Sequence, residues 1–256
     1  MPTRVSRFTS GVSTEVPQSL WGSFYAPSPM KGYSYANDFS TYAAGDWTVT
    51  STNSGTSALI DGEGGQLALT TGATATNYQA NELVKKSFYM VTGYRHWFQI
   101  SFKLSDTAHT AFQAGWVDTL SGPLTPASGV YFSKTDASTT LNLILNSAST
   151  TSTIAVGTIA ASTWYNVGWY YDGASNPSLY VFSSIGQSLP VLWEGQQQTY
   201  GGAIVAAANA NATTTLTNLP AATVGHTAGF GLSTGTNAAH VLTVDHFFSG
   251  SQVNRF

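Results

Sequence analysis

Two acids two residues apart, Asp61 and Glu63, stand in the stretch IDGEGGQLALTTG, residues 60–72, of a chain with few charges anywhere. On an extended strand, residues i and i+2 project from the same face. Two carboxylates on one face can cleave a glycosidic bond, one as nucleophile or base and the other as acid. The spacing therefore permits a glycosidase. The neighbours argue against it: Gly62, Gly64 and Gly65 flank both acids. Such a cluster marks a tight turn or bulge needing positive φ, while a catalytic pair needs rigid support. The turn reading outweighs the catalytic one.

Other reactive side chains are scattered. The five histidines, His96, His109, His226, His240 and His246, never fall in His-x-x-x-His or Glu-x-x-His spacing. Asp245-His246 is the most tempting pair. His246 alternates with Leu242, Val244 and Phe248, and adjacent strand residues face opposite sides, so the two are expected not to act together. Hydrogen-bonded structural roles are expected for both. Asp106, Asp118 and Asp136 each end a strand and could meet at one rim as oxygen ligands for Ca²⁺. Without an Asp-x-Asp run, turn roles at strand ends outweigh that reading. No Gly-x-Ser-x-Gly elbow and no glycine-rich phosphate cradle occur. Trp164, Trp169, Tyr170 and Tyr171 could stack on sugar rings, but alternation sends half of them into a core. No catalytic residue, cofactor site or metal site is assigned from the sequence.

Composition narrows the partners. A chain of 256 residues can bury a full core as one domain. Charged residues make up 8%, against a typical ~25%, and the formal net charge is −3. Nine Lys and Arg, with Lys85-Lys86 the one adjacent pair, leave no phosphate-binding stripe, so nucleic acid is not expected as a partner. There is no cysteine, so stability must come from packing. The basic start MPTRVSRFTSGVSTEVPQ is followed by no apolar signal-peptide core, and no run of 18 apolar residues follows, so neither ordinary export nor a membrane span is expected. A surface of Ser, Thr, Asn, Gln and Gly suits β-structure and close assembly.

The elements that must carry these residues are strands. In HWFQISFKLSD, Phe98, Ile100, Phe102 and Leu104 alternate with Trp97, Gln99, Ser101 and Lys103, the pattern of a half-buried strand. The same reading applies to FQAGWVD, GVYFSK, TLNLILNS, STIAVGTIA, TWYNVGWYYDG, SLYVFSS, AGFGLSTG and HVLTVDHFF. Hairpin turns are expected at Asp136 to Thr139 and at Asp172-Gly173, and Asn176-Pro177 marks the start of the following strand. The predicted fold is all-β, a single antiparallel β-sandwich over residues 37–256. The small-residue run from Tyr200 to Asn218 reads as a strand or loop excursion. Residues 1–36 hold Pro17, Pro27 and Pro29 yet keep Trp21, Phe24, Tyr25, Tyr33 and Tyr35. They are expected to form an irregular arm whose aromatics contact a partner, the alternative being that they cover a sheet of their own sandwich.

The order NDFSTYAAGDWTVT, GEGGQLALTTG, FQISFKLSD, TWYNVGWYYDG and LPAATVGHTAGFGLSTGTNAAHVLTVDHFF resembles the concanavalin A-like or laminin-G-like jelly-roll proteins that tailed bacteriophages encode among their virion structural genes. SGVSTEVPQSLWGSFYAPSP is similar to the N-terminal leader often seen on such proteins. The resemblance spans roughly residues 10–250 and rests on diffuse patterns: a Gly-Gly before a strand, a Trp before TVT, a closing TVD. It implies a non-enzymatic virion protein, a decoration or cement protein on the capsid surface, made in the host cytoplasm. The major capsid protein and further copies of the chain would be its partners. The alternatives it leaves are a lectin-like glycan-binding module of a tail or head fibre and, third, a glycoside hydrolase. Jelly-roll glycosidases carry a Glu-x-Asp-x-x-Glu run on a central strand, and no such run exists here.

Overall fold

The computed structural model describes residues 32–120, 124–173, 179–185, 203–208 and 218–252. Fifteen strands are described: β1 (Gly32–Asn37), β2 (Trp47–Ser51), β3 (Thr56–Ile60), β4 (Gln66–Thr70), β5 (Tyr78–Leu83), β6 (His96–Leu104), β7 (Thr110–Val117), β8 (Gly129–Lys134), β9 (Thr140–Ser147), β10 (Thr150–Thr158), β11 (Tyr165–Tyr171), β12 (Leu179–Ser183), β13 (Ala203–Ala208), β14 (Thr227–Thr234) and β15 (Val241–Gln252). Among the described residues there is no α-helix, and one 3₁₀ turn, Ala44–Asp46, precedes β2. All nine segments read as strands from alternation are strands. β13 lies in the small-residue run and pairs with β12.

The strands form two antiparallel sheets. The first has the order β13-β12-β11-β6-β15-β4-β3, with β1 also on β15. The second has the order β10-β9-β8-β7-β14-β5-β2. Alternation places Phe98, Ile100, Phe102, Leu104, Val167 and Trp169 of the first sheet against Phe112, Ala114, Trp116, Val130, Phe132, Phe230 and Leu232 of the second in one core. Aromatic pairs set the fit across the gap. Phe102 stacks on Phe112 with centroids 4.3 Å apart, and Trp116 meets Trp169 edge to face at 5.0 Å. One polar bond crosses the same interior: the Trp116 indole N–H donates to Ser249 Oγ at 2.7 Å.

Three expectations change. β6 is buried on both faces and not half-buried, because Trp97 of its outer face joins Tyr170, Phe182 and Phe248 in a second apolar cluster. The arm and sandwich do not divide at residue 36. Residues 32–37 form β1, paired with β15 from Gly32↔Gln252 to Asn37↔Phe247. Third, Tyr33 and Tyr35, expected as partner contacts, pack on the chain's own core. Tyr35 sits 5.5 Å from Trp47 and 6.1 Å from Phe247, both edge to face, and Tyr33 lies 5.3 Å from Phe88. Their own alternation with Ser34 and Ala36 puts them inward. Trp21, Phe24 and Tyr25 lie outside the described residues. Of the expected turns, Asp136–Thr139 links β8 to β9 with Ala137 at φ 57°. Gly173 follows β11 at φ 64°, and Asn176-Pro177 lies outside the described residues.

The buried Trp116–Ser249 bond gives a sharp stability test. Trp116→Phe or Ser249→Ala alone leaves one buried polar group without its partner and is expected to cost about 1–3 kcal/mol. The double variant should lose less than the sum of the two, measured by chemical denaturation as a double-mutant cycle.

Candidate functional site

The opening pair is a turn. Gly65 N–H closes on Gly62 O at 3.0 Å, Gly64 and Gly65 have φ of 79° and 94°, and Asp61 and Glu63 are exposed. A Cβ on Gly65 would run into the carbonyl of Phe39, whereas one on Gly64 would meet open space. The glycines therefore let the turn before β4 close onto the loop after β1. That loop is tight in its own right: Phe39 has φ 57°, its N–H donates to Asn37 Oδ1 at 2.7 Å, and its ring is fully buried.

This contact marks a gap in the first sheet. β6 runs along one edge of β15 for nearly its whole length, but the other edge is shared. β4 takes Val241 to Val244 and β1 takes Phe247 to Gln252. Asp245 and His246 fall between the two neighbours. Against β6 the register shifts there, from Val244↔Phe102 to His246↔Ser101, so Asp245 is the extra residue of a β-bulge. The consequence overturns the expected geometry. Leu242 and Val244 face the core, and so do Phe247 and Ser249. Phe248, expected beside Val244, lies in the outer cluster. The bulge places Asp245 and His246 together outside the core, where each feels the charge of the other.

Around them lies a groove of about 520 Å³, lined by Tyr35, Asn37, Asp38, Thr41, Asp46 and His246 among others. Tyr35 Oη donates to Asp46 Oδ2 at 3.3 Å and accepts from Asn37 Nδ2 at 3.2 Å, which ties the groove's two walls together. The ionisable groups are set differently. Burial raises the Asp245 carboxyl, and the charges of Asp38 and Glu63 raise it further against the opposing effect of His246. The N–H and hydroxyl of Ser40 hold the Asp38 carboxyl below its usual value. Burial lowers the His246 imidazole more than Asp245 and Asp38 raise it. The groove thus holds a carboxylate that ionises readily, Asp38, and an imidazole that resists protonation, His246, with the reluctant Asp245 carboxyl next to it in the chain. Glu63 acts here through its charge on Asp245.

The remaining candidates fall elsewhere. Asp106 and Asp136 lie at one rim, facing the buried ammonium of Lys134, while Asp118 follows β7 at the opposite rim, so the three do not meet. Asp106 accepts from the N–H groups of Ala108 and His109 and from His109 Nδ1 at 3.0 Å, a turn-capping role. Burial pushes its carboxyl up, but these bonds outweigh it and the net shift is downward. Asp118 accepts from Ser128 N–H at 3.3 Å. His240 Nδ1 is 3.9 Å from Asp106. His96 is interior: it stacks on Tyr171, bonds Ser251 Oγ at 2.9 Å, and burial takes its pKa down to about 4. His226 is buried against Ser128 Oγ at 3.0 Å. Among the described residues no group of three His, Asp or Glu is set to hold a metal ion. Trp169 and Tyr171 fill the core, Tyr170 stands in the outer cluster, and Trp164 is exposed under Lys103 Nζ at 4.8 Å.

With two antiparallel sheets packed face to face, the chain has the concanavalin A-like jelly-roll fold. No family model and no curated protein matches it. Solved structures do match in fold. A protein of unknown function from Shewanella oneidensis MR-1 matches with a TM-score of 0.56 at 15% identity, over 89% of each chain. A seed lectin of Lotus tetragonolobus matches at 0.52 and 11%, over 86% of this chain and 99% of that one. An endo-1,3-β-glucanase from Streptomyces sioyaensis matches at 0.51 and 14%, over 88% and 98%. The fold is therefore shared with lectins and with glycan-acting enzymes.

Two measurements check the site. Asp61→Asn combined with Glu63→Gln should leave the unfolding free energy within about 0.5 kcal/mol, as for ordinary surface changes. Gly64→Ala should cost about 1–2 kcal/mol for its left-handed backbone, and Gly65→Ala more, because its Cβ meets backbone. The second concerns Asp245. A carboxyl raised in the folded state binds its proton more tightly there, so its ionisation costs stability as pH rises above the ordinary carboxylate range. Asp245→Asn should therefore be more stable than the natural chain at pH 7. That advantage should shrink as the pH falls through the carboxylate range and Asp245 takes up its proton, as followed by denaturant midpoints across pH.

Proposed function

We propose that the protein is a bacteriophage virion structural protein that works by binding, without turnover, as a decoration protein on the outside of the head with the major capsid protein as its partner. The phage assignment rests on the sequence likeness given above. One structural observation supports the mode of action: the aromatic segment that leads into the domain is anchored at a fixed point. β1 is stitched to β15, and Tyr33 and Tyr35 pack, partly buried, against the core. Residues 1–31, with Trp21, Phe24 and Tyr25, thus start from a rigid mount, and interface hot spots are enriched in such residue types.

A second reading, lectin-like glycan binding, is favoured by the groove beside β15. Its volume suits one or two sugar rings, and the Asp38, Asp46, Asn37 and Thr41 side chains offer the donors and acceptors that read hydroxyls. This groove and the N-terminal segment are separate places, so the readings can be tested apart.

Mass spectrometry of purified particles should find the chain at a fixed copy number relative to the major shell protein. Removing residues 1–31 should abolish binding to undecorated particles while leaving the melting temperature near that of the full chain. Removing residues 1–37 should also lower the melting temperature, because it strips the edge of β15. A chain absent from particles but retained on a glycan array, with loss of retention in Asp38→Asn, would favour the second reading.

A further inference from the structure

The same reactive dipeptide stands at two places in the chain, in opposite settings. Asp-Gly occurs at Asp61-Gly62 and at Asp172-Gly173, and Asn-Gly does not occur. The backbone nitrogen that follows an aspartate can attack that residue's own side-chain carboxyl carbon and close a five-membered ring. Glycine favours the step, because no Cβ crowds the nitrogen or restricts the φ that brings it to the carboxyl. The fold decides which of the two sites can bend that far.

Asp61 and Gly62 lie in the turn between β3 and β4, and both are exposed. Among the described residues no hydrogen bond or ion pair holds the Asp61 carboxylate, and none holds the Gly62 N–H, although the Gly62 carbonyl accepts from Gly65 N–H. A Cβ on Gly64 would meet open space, so the turn has room on its outer side. Asp172-Gly173 is the reverse. Gly173 is buried, its carbonyl accepts from Gly93 N–H at 2.9 Å, and a Cβ on it would run into the backbone of Tyr94. Reaction there has to wait for local opening of the fold.

We propose that Asp61-Gly62 is a self-modification site, at which the folded chain converts Asp61 to isoaspartate. The Gly62 nitrogen bonds to Asp61 Cγ, and the nitrogen's proton leaves with the carboxyl's OH as water, which gives a succinimide. A solvent water then opens the ring. Breaking the bond from the nitrogen to Cγ restores aspartate. Breaking the bond from the nitrogen to the Asp61 main-chain carbonyl carbon leaves the main chain running through Cβ and Cγ, with the mass of the chain unchanged. The product turn is one backbone atom longer. Its Gly65 end is fixed against the Phe39 carbonyl while the side at Gly64 is open, so the extra atom is taken up toward solvent and the sandwich stays folded. The inference rests on this turn and on neither reading of function given above.

The test is to incubate the full chain for several weeks at physiological temperature and pH, folded and in guanidinium chloride, and to map its peptides with electron-transfer fragmentation, which separates isoaspartate from aspartate. In the folded chain Asp61 should convert within about threefold of its denatured rate, whereas Asp172 should fall at least about tenfold below its own denatured rate. Gly62→Ala should slow conversion at Asp61 at least about tenfold through its restricted φ. Its Cβ meets only the movable side chain of Gln66, so the melting temperature should stay that of the natural chain. Asp61→Glu, an exposed change, should lose the signal, because the ring would then need six members. An Asp61 that stays intact in the folded chain while it converts in denaturant, an Asp172 that converts as fast as Asp61 in the folded chain, or a Gly62→Ala chain that converts like the natural one would each overturn the inference.

Discussion

The rest of the structure turns on one irregularity in one strand, the bulge that makes Asp245 an extra residue in β15. A strand of 12 residues in the middle of a sheet must keep its apolar side inward along its whole length. β15 does this in two stretches of opposite phase, Leu242 and Val244 before the bulge and Phe247, Ser249 and Ser251 after it. The second phase delivers Ser249 to the Trp116 indole and Ser251 to His96, two buried polar contacts. A strand without the bulge would put Phe248 in place of Phe247 and turn both serines outward, taking their partners from the Trp116 indole N–H and from His96 Nδ1.

The same irregularity divides an edge. Because the bulge interrupts the ladder, β4 and β1 can each pair with half of β15 and leave a gap between them, and everything in the groove borders that gap. The loop after β1 and the glycine turn before β4 meet across it, Gly65 against the Phe39 carbonyl. That contact brings the charges of Asp38 and Glu63 to bear on Asp245, from three places distant in sequence. Backbone geometry thus makes the electrostatics of the site.

Strands with aromatic or β-branched alternation, such as Phe98 to Leu104 and Leu141 to Leu145, could be read from the sequence because side-chain period and burial agree there. β1 was hidden by its neighbours: Tyr33 and Tyr35 alternate with Ser34 and Ala36, but the prolines upstream made the region look irregular throughout. The groove was hidden by an assumption of unbroken alternation. In Val244-Asp245-His246-Phe247 two polar residues stand together between apolar ones, which is what a bulge writes into a sequence. Taken as a signal, that doublet would have placed Asp245 and His246 together. The turn at Gly64-Gly65 was legible from residue type alone, but its role in bringing Glu63 toward Asp245 depends on contacts 25 residues and more apart, which no local pattern carries.

A chain with only 12 acids and nine basic residues has to place them where strand faces and edges are not being used. Asp38, Asp46, Glu63 and Asp245 gather at the gap in the first sheet, and Asp106, Asp136 and Lys134 at one rim, all at strand ends, bulges or loops. The rim group shows what such placement costs. Lys134 is almost fully buried, its ammonium donates to the carbonyls of Thr110 and Thr135, and burial still takes its pKa down to about 8 despite Asp136 and Asp106 nearby. A charge held inside is destabilised even with two carboxylates facing it. The sheets avoid that penalty by covering their outer faces with aromatics, amides and hydroxyls. The same economy leaves β2 and β3 without charged side chains and lets both faces of β6 be buried.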